Sequence, residues 1–305
     1  MISSALARAI DFLKARQNPD GGWGYGPGRA SLVEPTAFAA VALHTQGQGP
    51  EALRGLDYLK SCQKASGAVG LGPRDQDGCW MAYAALLAFH AFGAGEAERR
   101  LRDWMLALED ASGRFTKEEI AVVAERYRYD AAIPGWPWTP RTTAWVEPTA
   151  LFIIALRRAG VPAGEKRIQS GVDLILDRRV PSGGWNFGNP YSKSLALEAS
   201  TMSTALALAA LGAAGVPESQ AAVGAGLRYL KNVLGGDVST ASLAWALLAL
   251  KSFAAGAKAI PGVAARLARL QQEDGGFRTN PFETALAYLV LTDAPILVPK
   301  AGVTP

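Results

Sequence analysis

Two kinds of apolar segment alternate along this chain. In one, apolar residues recur every three or four positions among charges, as in Ala9-Ile10-Asp11-Phe12-Leu13, flanked by Arg8, Lys14 and Arg16. In the other, charge is almost absent, as in Thr36-Ala37-Phe38-Ala39-Ala40-Val41-Ala42-Leu43. The first pattern predicts a helix with one face in water, the second a helix surrounded by protein. Between them stands a Gly-rich turn, often with an aromatic residue, as in Asp20-Gly21-Gly22-Trp23.

This unit recurs six times. The second copy joins Leu56-Asp57-Tyr58-Leu59 to Ala82-Tyr83-Ala84-Ala85-Leu86-Leu87, and the third joins Arg102-Asp103-Trp104-Met105, across a long insertion, to Thr149-Ala150-Leu151-Phe152. Val172-Asp173-Leu174-Ile175, Gly183-Gly184-Trp185 and Thr204-Ala205-Leu206 make the fourth. A shorter fifth has lost the Gly-aromatic turn and keeps Arg228-Tyr229-Leu230 and Leu243-Ala244-Trp245; the sixth carries Asp274-Gly275-Gly276-Phe277 and Thr284-Ala285-Leu286. With the charged helix outside and the apolar one inside, six hairpins closed into a ring let each inner helix pack on two inner neighbours and on its own outer partner. The pattern therefore predicts an all-α, closed (α/α)6 toroid with inner and outer helix rings. An open solenoid would need polar capping helices, and neither end of the chain offers one. The repeats fall at roughly 5–47, 52–93, 97–160, 166–215, 221–256 and 257–292, followed by a C-terminal tail at 293–305, and they predict a single domain over residues 1–305.

Composition agrees with a large core: of 305 residues 49% are hydrophobic and only 19% charged, with 33 Gly and 18 Pro for the turns. No apolar stretch reaches the roughly 18–20 residues of a membrane span, and the first helix begins too early for a signal peptide. Two cysteines, Cys62 and Cys79, are too few for a disulfide framework and fit a reducing compartment, so the expected location is cytoplasmic, with peripheral membrane contact left open. The formal charge of +4 is scattered. Arg99, Arg100 and Arg102 read as a solvated helix face, and no nucleic acid is expected as a partner.

The turns have a simple mechanics. Gln17, placed before Gly21-Gly22-Trp23, is positioned to cap the last carbonyls of its helix or the amides of the next; the glycines supply positive φ, and the Trp lies against the joint and clamps neighbouring hairpins. Tyr58-Leu59 with Gln63 repeats the spacing, and Gln272-Glu273-Asp274-Gly275-Gly276-Phe277 is a variant with Phe. These segments resemble the Gln-Trp repeats of the squalene and oxidosqualene cyclases and the related repeats of protein prenyltransferase β subunits. The resemblance covers essentially the whole chain and implies an α/α toroid whose central cavity binds an isoprenoid. This chain has the length of one toroid, whereas those cyclases carry two such domains.

In the squalene-hopene cyclases the resemblance points to an aspartic acid as proton donor, the middle Asp of Asp-x-Asp-Asp-Thr-Ala at the start of an inner helix. That chemistry needs a carboxylic acid kept protonated in a dry apolar site, with aromatic walls to stabilise carbocations. No Asp-x-Asp-Asp occurs here. Asp75-Gln76-Asp77-Gly78-Cys79-Trp80 comes nearest, with Asp77 at the donor's place and Gly78 where the last Asp would be. Glu34-Pro35-Thr36-Ala37 and Glu147-Pro148-Thr149-Ala150 align with the same position, and Glu283-Thr284-Ala285 does so more loosely. An acid and a Pro in a first helical turn are also ordinary helix-start chemistry. Asp77, Glu34 and Glu147 are thus the candidate catalytic acids.

Asp77-Gly78-Cys79 further resembles the zinc-binding Asp-x-Cys of prenyltransferase β subunits. Zinc needs about four ligands, and the only histidines are His44 and His90, at the far ends of their helices; His90 lies about 16 Å along the helix from Cys79. No metal and no cofactor is therefore expected. An insertion at 114–143 and the segment Gly184-Trp185-Asn186-Phe187-Gly188-Asn189-Pro190-Tyr191 supply most aromatics outside the helices, either as the mouth of a site or as a plug. Candidate ligand contacts are Trp80, Cys79, Trp136, Trp138, Trp145, Trp185, Tyr191 and Glu283. The expected function is a terpenoid-cyclase or prenyltransferase-like toroid that binds an isoprenoid or other apolar molecule, with acid-initiated cyclisation as its chemistry. Its alternative is a non-catalytic toroid that binds a lipid or a protein partner through its rim.

Overall fold

The computed structural model describes residues 2–47 and 49–297, with side chains from residue 6 onward. Residues 298–305 of the expected tail lie outside the described residues. Outer and inner helices alternate in chain order: α1 (Ile2–Ala15) before α2 (Val33–His44), α3 (Gly49–Cys62) before α4 (Ala82–Ala91), and α5 (Gly95–Ala107) before α7 (Val146–Arg158), α6 (Lys117–Tyr127) falling in the insertion between the last two. Then follow α8 (Lys166–Asp177) before α9 (Thr201–Ala213), α10 (Ala221–Val233) before α11 (Thr240–Lys251), and α12 (Ile260–Arg269) before α13 (Pro281–Leu291). Among the described residues the only sheet is a hairpin of β1 (Tyr191–Ser192) and β2 (Leu195–Ala196), and no helix is long and apolar enough to cross a membrane.

The alternation in charge becomes an alternation in burial. Every residue of α2 from Val33 to Leu43 is buried, whereas α8 buries only the stripe Ile168, Gly171, Val172, Leu174 and Ile175. Of the described residues, those up to 106 and those from 261 to 297 form one compact unit, and residues 107–260 a second. In the first, α2 packs against α13, α4 and α3; in the second, α9 packs against α7, α11 and α10.

Four of the joints are built alike. The Trp23 amide donates to Thr36 Oγ1 at 2.9 Å, and its indole N–H donates to the Leu13 carbonyl at 2.8 Å. Trp136, Trp185 and Phe277 donate in the same way to Thr149, Thr204 and Thr284, each at 2.9 Å. The ring is then covered by a glycine of the next outer helix. A Cβ on Gly55 would come within 3.0 Å of the Trp23 ring, on Gly171 within 2.7 Å of Trp136, and on Gly226 within 2.7 Å of Trp185. The glutamine does more than cap its own helix. Gln17 Nε2 donates to the Gly21 carbonyl and, at 2.8 Å, to the Glu51 carbonyl of the next outer helix; Gln63 does the same toward Gly67 and Ala97. An outer helix ends with carbonyls to satisfy, and one amide serves both its own turn and its neighbour.

Candidate functional site

Backbone bonds between turn and helix set a common register for the inner-helix starts. Leu32, Trp145, Ser200 and Cys79 each donate their amide to the residue at the turn's aromatic position, Trp23, Trp136, Trp185 and Val69 respectively, and Asn280 donates likewise to Phe277. Counting two residues on from these caps, Glu34, Glu147, Met202, Met81 and Phe282 occupy equivalent positions. Asp77 lies two residues before its cap and Glu283 three residues after, so neither shares the position of the two glutamates. Two repeats out of these five carry an acid there.

Glu34 stands in the first turn of α2 and is 5% exposed. Its Oε2 accepts from Tyr25 Oη of its own turn, and its Oε1 accepts from Tyr83 Oη of the adjacent inner helix α4 at 2.5 Å. Burial pushes its carboxyl up to about 7, against the opposing pull of the two phenols. The same burial, together with the Glu34 charge, raises the ionisation of Tyr25 and Tyr83, so both stay O–H donors. Rings surround this triad. Phe282 meets Tyr25 edge-on at 5.9 Å and Phe38 at 5.1 Å; Phe38 meets Tyr83 at 6.1 Å; Trp80 stacks on Tyr83 at 6.1 Å with an interplanar angle of 15°. Cys79, buried beside the pair, has its thiol pushed up to about 11 by burial and is a neutral part of the wall. Glu283 follows Phe282 in the first turn of α13 and is half-buried.

Asp77 is exposed, five residues ahead of α4 in an open loop. Asp77 therefore lies apart from the buried first-turn position that Glu34 occupies. It is Asp75 in the same loop that holds the backbone, accepting from the amides of Leu71 and Gly72.

Glu147 starts α7 in the second unit as Glu34 starts α2 in the first. It is 9% exposed, burial raises its carboxyl, and it accepts from Ser203 Oγ of α9 at 2.7 Å; Ser203 Oγ in turn lies 2.8 Å from Ser200 Oγ. Trp145, the cap residue, and Trp138 are half-buried, and Tyr191 sits half-buried in β1. Trp136 and Trp185 lie in the joints between hairpins. Both are fully buried joint residues; the guanidinium of Arg167 covers Trp136 at 4.2 Å, and the Trp185 indole donates to the Ile175 carbonyl.

Tyr25, Tyr83, Phe38 and Phe282 escaped the sequence reading. A signal existed for Tyr83, which occupies the register position held by Thr36, Thr149, Thr204 and Thr284 elsewhere. A phenol in place of the turn-binding hydroxyl is a departure from the repeat, and it reaches Glu34 instead.

Residues 2–57 and 48–133 match the prenyltransferase alpha-alpha toroid domain. No curated protein matches the sequence. Among solved structures, a variant of the type II terpene cyclase MstE from Scytonema, in complex with its substrate geranylgeranyl dihydroxybenzoate, is similar with a TM-score of 0.65 and 18% identity, covering 97% of this chain and 98% of that one. A protein from Actinoplanes is similar with a TM-score of 0.65 and 20% identity over 95% of this chain and 98% of its own. An alpha-amylase from Clostridium perfringens reaches a TM-score of 0.62 at 11% identity, covering 95% and 98%, so the fold taken alone serves unlike chemistries. The shared fold makes this chain an α/α toroid, and its first 133 residues carry the match to the prenyltransferase alpha-alpha toroid domain.

Proposed function

We propose that this protein binds an isoprenoid against the ring cluster of its first unit and cyclises it, with Glu34 as the proton donor. One observation carries the reading: a buried carboxyl poised near 7, held by two phenols and walled by Phe38, Trp80 and Phe282. Protonated Glu34 gives its proton to a terminal alkene carbon, and the alkene's electron pair forms the new C–H bond, leaving a tertiary carbocation. The nascent carboxylate is stabilised as it forms, because Tyr25 and Tyr83 both point an O–H at it. Ring faces stabilise the cation by cation–π attraction, worth up to about 2 kcal/mol each when water is excluded. Loss of a proton from the final cation leaves an isomer of the substrate. Support comes also from the fold shared with a terpene cyclase that binds a geranylgeranyl substrate.

Geranylgeranyl dihydroxybenzoate is the first substrate to try, with cyclised product of unchanged mass as the readout. Glu34→Gln keeps the shape and removes the acid, and should lower turnover at least about 100-fold while leaving binding within a few-fold. Equal turnover in the variant would remove Glu34 as donor. Binding by the wild type without any conversion would favour the non-catalytic alternative.

A further inference from the structure

Glu34, Phe38 and Val41 follow one another at helical spacing down a single face of α2, so the ring cluster at Glu34 continues into an apolar niche below Phe38. Its walls come from three neighbouring inner helices, with Ala37, Phe38 and Val41 from α2, Ala84 and Leu87 from α4, and Leu289 from α13. What fills it is the segment after α13. The chain turns back at Asp293, where φ is +53°, and is held by bonds from the Ala294 amide to the Leu289 carbonyl and from the Leu297 amide to the Ala294 carbonyl, both 3.0 Å. Ile296 is 9% and Leu297 1% exposed, and both line the niche, leaving a void of only about 10 Å³, room for one water.

We infer that Ile296 and Leu297 form the floor of the isoprenoid site and set the length of prenyl chain it takes, an inference that rests on the function proposed above. Phe38 belongs both to the ring cluster and to the niche, so a chain passing Phe38 would next meet these two side chains. Trimming both to Ala removes about six carbons, comparable to the five of one isoprene unit, and the cavity left in a close-packed apolar wall stays open to an apolar guest. A rigid floor therefore predicts a sharp optimum in chain length, movable by one unit.

The probes are prenyl alcohols of ten, fifteen, twenty and twenty-five carbons, titrated against the full chain by quenching of tryptophan fluorescence. For the wild type, affinity should rise with length and then fall. The Ile296→Ala/Leu297→Ala variant should move that optimum up by five carbons, with at least a tenfold gain for the first alcohol beyond the wild-type limit. Ile296→Phe adds bulk to an already filled niche and should move it down; this variant serves if the trimmed one does not fold. An unchanged optimum in variants that still bind overturns the floor alone. Absence of binding by every alcohol to the wild type overturns the isoprenoid reading, and the floor with it.

Discussion

At the scale of single residues the chemistry turns on how Glu34 titrates. Its carboxyl is raised in the folded chain from an ordinary 4.5 to about 7, so the folded state holds this proton more tightly than the unfolded one. That contribution to stability is fully present below about pH 4.5 and is lost as the pH rises through about 7, where ionising a buried carboxyl has cost about 3 kcal/mol. Glu34→Gln cannot ionise. Chemical denaturation at pH 5 and pH 8 should therefore show the wild type losing stability relative to this variant by roughly that amount, and a difference independent of pH would mean that the carboxyl titrates as in water. Turnover should follow the same group, present below about pH 7 and falling above it. Glu34 was legible in the sequence as an acid in an inner helix's first turn. Its cage was not, because Tyr25 and Tyr83 come from a turn and from the next helix, and only the register of the repeats brings them together. Asp77 differs for the same reason: the loop before α4 places Cys79, not Asp77, at the cap, and the position equivalent to Glu34 is Met81, four residues further on and buried.

At the scale of elements, what joins one hairpin to the next is a ring pressed on a glycine. Gly226 lies in α10 at ordinary helical φ, so Ala would ordinarily favour that helix by up to about 1 kcal/mol. Here the added Cβ would meet the Trp185 ring at 2.7 Å and Leu208 at 3.2 Å, and the ring, tied by its indole to Ile175, has nowhere to move. Overpacking should win. Gly226→Ala is expected to destabilise by about 1–3 kcal/mol in urea unfolding, and a stabilised variant would mean that the joint yields. This part of the fold was readable in advance, since spacing alone announces a turn with a glycine pair and an aromatic. The glycine beneath the ring was not announced, because Gly55, Gly171 and Gly226 sit inside amphipathic helices with no local reason to be glycine.

At the scale of the molecule, a toroid requires its sixth hairpin to meet its first, and it does so within one compact unit. The last turn docks on α1 much as other turns dock on the helix that follows them in sequence. Gly275 stands against the Arg8 carbonyl as Gly21 stands against that of Arg54 and Gly67 against that of Arg100, while Gly276 faces the Phe12 ring. Arg8 also donates to Gln271 at 3.1 Å, and Arg16 pairs with Asp274 at 3.6 Å, but both contacts are solvated and contribute at most about 1 kcal/mol. Shape must therefore carry the seam. A Cβ on Gly275, at φ +87°, would lie 2.3 Å from the Arg8 carbonyl oxygen, a clash with backbone that no rotamer relieves. Gly28 provides the comparison, since at φ +66° it has nothing within 4 Å and its replacement by Ala meets only the backbone penalty of about 1–2 kcal/mol. Thermal unfolding of the two variants separates the effects. Gly275→Ala should fall below Gly28→Ala by several degrees, and hydrogen exchange should show the excess as lost protection in both α1 and α13, although 265 residues of sequence separate them. Equal melting of the two would mean that the first and last hairpins are held by their inner helices alone, α13 against α2, and that the turn at the seam contributes no more than its conformation.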